Sequence, residues 1–323
     1  VALSEFSIID RYFSGIGAIR EDVRLGPGDD CALLRIPPDT ELAVTVDTLV
    51  EGVHFLPDVD PESLGHKALA VSLSDLAAMG AEPAWASLAL TLPRADQPWL
   101  QAFARGFDGL ARAHGVALVG GDMTRGPLSI SIQAYGLIAP GQGLLRSGAR
   151  PGDLIYVTGT LGDAALALLV KQGLYLGPGL VEALASRLER PTPRLDEGRA
   201  LRSLASAAID VSDGLGADLG HICEASGAGA SIDLRLLPCS EAVRAYIEET
   251  GDWSLPLSGG DDYELCFTLA PDRQGALESL AQRLDTVFTW IGLIEPQPGV
   301  RCRDQHGELT SAPRGYDHFF RHG

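Results

Sequence analysis

Apolar and polar positions alternate in several short stretches of this chain and recur at helical spacing in others. In LAVTVDTL, Leu42, Val44 and Val46 fall on one face of an extended segment and Thr45 and Asp47 on the other. SISIQAYGLI (Ser129 to Ile138) alternates without a break and predicts a strand half-buried in an antiparallel sheet. ASLALTLP predicts a further short strand ended by Pro93. Between these lie two helical patterns. PESLGHKALAVSLSDLAAMGAEP spaces Leu64, Ala68, Val71 and Asp75 along a helix, with Gly80 placed to cap it and Pro83 beyond. PWLQAFARGFDGLARAHG puts Trp99, Phe103, Phe107 and Leu110 on one stripe, a core face, and ends at Gly115.

Proline and glycine cluster in APGQGLLRSGARPGD (Ala139 to Asp153), which marks the boundary between two domains. A second series follows: the strand LIYVTG, a helix around Ala164 to Lys171, the strand AAIDVS, the helix ADLGHICEASG, the strands ASIDLRLL and YELCFTL, and a last strand near VFTWIGLI. This mixed order, with several antiparallel candidates, predicts an α+β fold in both halves, with domains at 1–138 and 153–323 joined by a linker at 139–152.

Composition narrows the chemistry. The 323 residues are 46% hydrophobic and 21% charged, as expected of globular domains. A net charge of -18, with Lys67 and Lys171 the only lysines, argues against a nucleic-acid face, because phosphate neutralisation needs clustered cations. No stretch has the roughly 18 apolar residues of a membrane span, and VALSEFSIID has acids where a signal peptide would be basic, so a cytoplasmic location is expected. Cys31, Cys223, Cys239, Cys266 and Cys302 are scattered without a CxxC pair and read as reduced thiols.

The sequence has no GxxxxGK[ST] loop, no GxGxxG entering a helix and no HExxH. Aspartate instead recurs beside glycine or at strand ends, in GDDCALL, AVTVDTL, SLSDLAAMG, VGGDMTRG, AIDVSDGL and SGGDDYELCF. Each motif alone is ordinary turn or cap chemistry. Together they form a hard-oxygen donor set suited to several Mg²⁺ ions around a polyphosphate, which points to Mg-ATP and phosphoryl transfer. The adjacent pair Asp29 and Asp30 is expected to be tolerated because a metal neutralises at least one of them. Arg146, in LLRSGARPG, is a candidate phosphate clamp.

LGPGDDCALL, VTVDTLVEGVHF, KALAVSLSDLAAMGAEPAW, GGDMTRGP, AIDVSDGL and SGGDDYELCF, in this order and through the terminal GYDHF, resemble the thiamine-monophosphate kinase family. The resemblance implies a two-domain fold like that of aminoimidazole-ribonucleotide synthetase, a homodimer formed through the N-terminal sheets, and ATP bound in the cleft. It implies transfer of the ATP γ-phosphoryl group to thiamine monophosphate. By motif it implies Mg²⁺ ligands at Asp30, Thr45, Asp47, Asp75, Asp122, Asp210 and Asp213. Nucleotide contacts are implied at Gly121, Asp122, Arg146 and Ser212, and contacts to the thiamine phosphate at His54, Asp261 and Tyr316. The aromatic face of Tyr316 suits a cationic thiazolium. Asp261 stands where the family more often has Glu, which shortens its reach by one methylene. Val46 has no hydroxyl, so a metal contact there would come from the backbone. The acceptor phosphate is already ionised, so the reaction needs no general base. Selenophosphate synthetase would bring a reactive Cys or selenocysteine near its N-terminus, and hydrogenase-maturation carbamoyl dehydratase a C-terminal Cys. A metal- or nucleotide-binding regulator without catalytic activity is the reading from another class.

Overall fold

The computed structural model describes residues 4–175, 178–304, 306–313, 315 and 316. The terminal GYDHF match runs past Tyr316 and so lies partly outside the described residues. The chain divides into two compact units, Val1–Leu76 with Ala81–Gly141, and Ala77–Gly80 with Gln142–Gly323.

The first unit opens with a short helix, α1 (Glu5–Ile8), and a two-stranded hairpin, β1 (Val23–Leu25) and β2 (Leu33–Leu34). Its main sheet contains β3 (Glu41–Val50), β4 (Glu82–Leu92), β5 (Ala117–Arg125) and β6 (Ser129–Ile138) in the order β3-β6-β4-β5. β6 pairs antiparallel with both neighbours, as its alternation predicts, whereas β4 and β5 run parallel, joined by a helical crossover. Alternate residues of β6 are buried, Ile130, Ile132 and Ala134 among them. Both predicted helices form, α2 (Pro61–Ala78) and α3 (Gln97–Ala113). Gly80 caps α2 with φ +67, and the Ala81 N–H donates to the Leu76 carbonyl. The two helices touch backbone to backbone where both carry glycine. A Cβ at Gly106 would sit 1.8 Å from the Glu62 carbonyl oxygen, and one at Gly65 2.1 Å from that of Phe103. This close crossing sets the depth of α2, which carries Asp75.

The second unit is built on β7 (Leu154–Thr158), β8 (Ala207–Val211), β9 (Gly229–Asp233), β10 (Glu264–Leu269), β11 (Phe288–Glu295), β12 (Gly299–Arg303) and β13 (Leu309–Ser311). They form a mixed sheet in the order β13-β12-β9-β11-β7-β10-β8, parallel only between β12 and β9. Helices α4 (Asp163–Lys171), α5 (Pro178–Glu189), α6 (Leu195–Leu201), α7 (Leu215–Ser226), α8 (Glu241–Thr250), α9 (Ser254–Ser258) and α10 (Gln274–Leu284) complete the unit. One core runs through Ile155, Val157, Leu161, Leu166, Ile209, Leu219, Ile222, Val243, Cys266 and Ile291. The stretch ASIDLRLL is only half strand: β9 ends at Asp233, whose side chain accepts the Arg235 N–H and turns the chain into a 3₁₀ turn over Leu234–Leu236. Among the described residues no helix is long and apolar enough to cross a membrane. Cys223, Cys239, Cys266 and Cys302 are free and buried, and burial pushes each thiol above its ordinary range, which makes them inert core residues.

Candidate active site

In the first unit, β3 turns its polar face inward. Leu42, Val44 and Val46 are 40%, 50% and 64% exposed, while Thr45 and Asp47 point toward α2. The reason is local: α2 presents Ser72 and Asp75 on one stripe, and Thr45 Oγ1 donates to Asp75 while Ser72 Oγ donates to Asp47 at 2.8 Å. Asp47 is pushed up to about 6, first by burial and then by the charge of Asp75, against the opposing Ser72 hydrogen bond. The fold therefore holds two carboxylates close together at a site that favours an added positive charge.

The other candidate acids of this unit, Asp30 and Asp122, lie on the opposite face of the sheet. Across the strands Asp47 pairs with Ile132, Ile132 with Leu88, and Leu88 with Gly121. Asp122, one residue further along β5, is thus on the face away from Asp47. Asp122 lines a cavity of about 770 Å³ together with Asp29, Asp30, Gly121, Trp85 and Tyr135. Asp29 and Asp30 are both exposed, and the Asp29 side chain accepts the Asp30 N–H at 2.8 Å, so turn chemistry and solvent account for their adjacency within the chain itself.

At Gly121 the β5 backbone leaves no room for a side chain against β4. A Cβ there would sit 1.8 Å from the Leu88 carbonyl oxygen, whereas one at neighbouring Gly120 would meet nothing within 4 Å. Gly121→Ala is expected to cost about 1–3 kcal/mol and lower the thermal midpoint by roughly 2–10 °C. Gly120→Ala should leave it nearly unchanged, and equal midpoints for the two variants by circular dichroism would refute the close-approach explanation.

His54 sits in the turn after β3, where its Nδ1 accepts the Val50 N–H at 3.0 Å. That bond places the proton of a neutral ring on Nε2.

In the second unit the DVSD segment, where β8 ends and its loop begins, gathers most of its candidate residues. The Asp261 N–H donates to the Ser212 carbonyl at 2.8 Å, the Tyr263 N–H to Val211 at 2.8 Å and the Tyr316 N–H to Asp213 at 3.2 Å. Asp261 and Tyr263 hold left-handed backbone, with φ of 61 and 51, and the Tyr263 hydroxyl donates to Asp261 Oδ1 at 2.8 Å. Asp210, Ser212, Asp213, Asp261 and Tyr316 are thereby brought together. Arg146 is exposed, with its carbonyl accepting from Ser226 Oγ at 3.2 Å.

Sequence reasoning passed over Asp218, which is 3% exposed in the first turn of α7. Its carboxylate accepts both the Ser212 and Asp213 N–H groups at 3.0 Å. Burial, then the neighbouring charge of Asp210, pushes it up to about 8 against those two hydrogen bonds. The signal available in the sequence was an acid in the opening turn of a helix that directly follows DVSDG. Among the described residues no three His, Cys, Asp or Glu side chains converge into a group able to hold a metal ion.

Residues 28–138 match the N-terminal domain of AIR synthase related proteins, and residues 150–305 match the corresponding C-terminal domain. The class is therefore a two-domain AIR synthase-related α+β protein. Within it, the chain is 50% identical over 322 residues to the thiamine-monophosphate kinases of Salmonella typhimurium and of Escherichia coli strain K12, covering 99% of both chains in each case. The crystal structure of thiamine-monophosphate kinase from Stenotrophomonas maltophilia K279a superposes with a TM-score of 0.85 at 48% identity, over 96% of this chain and 99% of that one. AaThiL complexed with AMPPCP and TMP gives a TM-score of 0.77 at 34% identity, over 90% and 91%. The chain belongs to the thiamine-monophosphate kinase family.

Proposed function

We infer that this protein transfers the γ-phosphoryl group of ATP to thiamine monophosphate, giving thiamine diphosphate and ADP. The observation that carries this reading is the DVSD loop, from whose carbonyls Asp261 and Tyr316 are hung beside Asp210, Ser212 and Asp213. The likeness to AaThiL, whose complex contains AMPPCP and TMP, supports the choice of both substrates.

The donor set fits Mg²⁺: Asp47 and Asp75 are hard oxygen donors whose mutual repulsion a divalent cation relieves. In the first unit Asp30, Thr45, Asp47, Asp75 and Asp122 would hold such ions, and in the second Asp210 and Asp213. When bound, Mg²⁺ neutralises charge between two anionic reactants. Because no metal-holding group of three side chains forms among the described residues, phosphate and water oxygens would complete each coordination sphere.

The chain's own residues bind and orient. Gly121, Asp122, Arg146 and Ser212 are the residues this reading assigns to the nucleotide. His54 through Nε2–H, Asp261 through the carboxylate oriented by Tyr263, and Tyr316 through its ring contact the acceptor. An oxygen of the acceptor phosphate forms the new bond to γ-phosphorus as the bond to the β,γ-bridging oxygen breaks, and ADP leaves. That oxygen carries no proton at neutral pH, so no side chain need act as base. The exposed row Leu42, Val44 and Val46 suits a homodimer formed through this sheet. A cytoplasmic location, where ATP is available, accompanies the reading.

The test is an assay with ATP and Mg²⁺, offering thiamine monophosphate and, separately, free thiamine. Thiamine diphosphate formed from the monophosphate alone, and abolished by chelation, is the expected result. Failure to form it from the monophosphate, or a trapped phosphoprotein intermediate, would overturn the reading or its direct-transfer mechanism respectively.

A further inference from the structure

The Asp218 carboxylate is buried beneath the DVSD loop and faces it through one oxygen. Its Oδ2 accepts the N–H groups of two successive residues, Ser212 and Asp213, at 3.0 Å each. The carbonyls of the same stretch point the other way and take up the rest of the site: Val211 receives Tyr263, Ser212 receives Asp261, and Asp213 receives Tyr316. The loop has little freedom to adjust. Gly214 follows at φ +102, where a Cβ would lie 2.5 Å from the Ser258 Cα, and a Cβ on Gly315 would lie 2.5 Å from the Asp213 carbonyl oxygen. A loop pinned from one side by one carboxylate and read from the other by three backbone donors transmits any displacement to all three.

We propose that Asp218 is a positioning residue for the phosphoryl-transfer site: its buried carboxyl group gathers the Ser212 and Asp213 amides and thereby sets the placement of Asp213, Asp261 and Tyr316 together. It touches neither reactant. What it supplies is an acceptor oxygen at one position, and the amide oxygen of asparagine can supply the same.

That equivalence gives the test, read in the intact protein by two independent measurements. In Asp218→Ala the Ser212 and Asp213 amides should exchange with deuterium at least about 10-fold faster than in the wild type, and kcat should fall about 30–100-fold. Asp218→Asn should restore slow exchange and keep kcat within about threefold of wild type. Leu219→Ala, which opens the core beneath the same helix at a fully buried position, should lower the unfolding midpoint yet leave kcat within about threefold. The kinetic measurement rests on the reaction inferred above, but the exchange measurement does not. A wild type without kinase activity would refute that reaction and leave the loop clamp to be judged by exchange alone. Should Asp218→Ala fail to fold, Asp218→Asn decides: fast exchange of the two amides, or kcat reduced 30-fold, overturns the proposal. So does a Leu219→Ala variant that loses as much kcat as Asp218→Ala, because a general loss of packing would then explain both.

Discussion

Replacing Glu264 by alanine is expected to cost about 3–5 kcal/mol of folding stability, the scale found when one partner of a buried ion pair is removed. Glu264 opens β10 opposite Val211 and is 0% exposed. Arg194 grips both its oxygens, Nε and Nη2 each at 2.6 Å, Arg187 adds a bond at 2.7 Å, and the Thr158 hydroxyl another at 2.6 Å. Burial alone would favour the neutral acid, but the two guanidinium groups and the hydroxyl outweigh it and hold the carboxyl below the ordinary glutamate range. Without Glu264, two guanidinium groups that are 20% and 24% exposed are left facing one another. The remaining counter-charges compensate only in part: Asp163 stands 3.6 Å from Arg187 and Glu197 3.9 Å from Arg194, both beyond hydrogen-bond distance, and Asp163 Oδ1 and Arg187 Nε are already buried without a hydrogen-bond partner. An exposed pair behaves differently. Arg94 and Asp96, at 82% and 35% exposure, form the kind of bridge worth about 0–1 kcal/mol, so Arg94→Ala serves as the control. Urea unfolding of the two variants would decide the matter, and similar midpoints would refute the assigned role of the network.

The same carboxylate predicts a pH dependence. Its folded value lies below its unfolded one, so the folded state binds its proton less tightly, and the stabilisation is fully present above the unfolded value. It is lost as the pH falls through the folded value. The stability difference between wild type and Glu264→Gln should therefore be constant near neutrality and shrink in acid, below the ordinary glutamate range. A difference that grows on acidification would mean that Glu264 is held neutral.

Glu264 and Asp218 mark the limit of what the sequence made legible. SISIQAYGLI, AAIDVS and YELCFTL declared their strands because apolar residues recur at every second position. The acids at strand ends and beside glycine were visible as motifs for the same reason. Face, however, is a property of what packs against a strand. Leu42, Val44 and Val46 form as clean an apolar row as any in the chain, yet they are exposed, because α2 offers Ser72 and Asp75 to the polar row instead. The separation of Asp47 from Asp122 depends on cross-strand register between segments about 75 positions apart in the chain, which no local pattern encodes. Asp218 and Glu264 were passed over because each looks ordinary in its own segment, one as a helix-opening acid and the other as the first residue of a strand. Their roles arise only when distant backbone amides or arginines meet them.

Asp47→Asn is expected to separate activity from stability in opposite directions. Asparagine keeps the volume and the oxygen that accepts from Ser72, but removes the charge that a cation would balance; kcat should fall by at least about 100-fold. The folded protein should not suffer. In the wild type Asp47 titrates at about 6 when folded against 3.8 in its unperturbed form, so the folded state binds this proton more tightly. Stability then declines as the pH rises from about 4 to about 6, and the penalty, about 1–3 kcal/mol, persists above that range. Asparagine escapes it. In the absence of divalent cation the variant should melt above the wild type at pH 8, and the two should converge near pH 4. Adding Mg²⁺ at pH 8 should raise the wild-type midpoint and raise that of the variant less, because the ion relieves a repulsion the variant no longer has. Full activity in Asp47→Asn would remove Asp47 from the metal site. A variant that melts below the wild type at pH 8 without cation would show instead that the carboxylate stabilises the fold, and the pairing of Asp47 with Asp75 would need another explanation than a site awaiting positive charge.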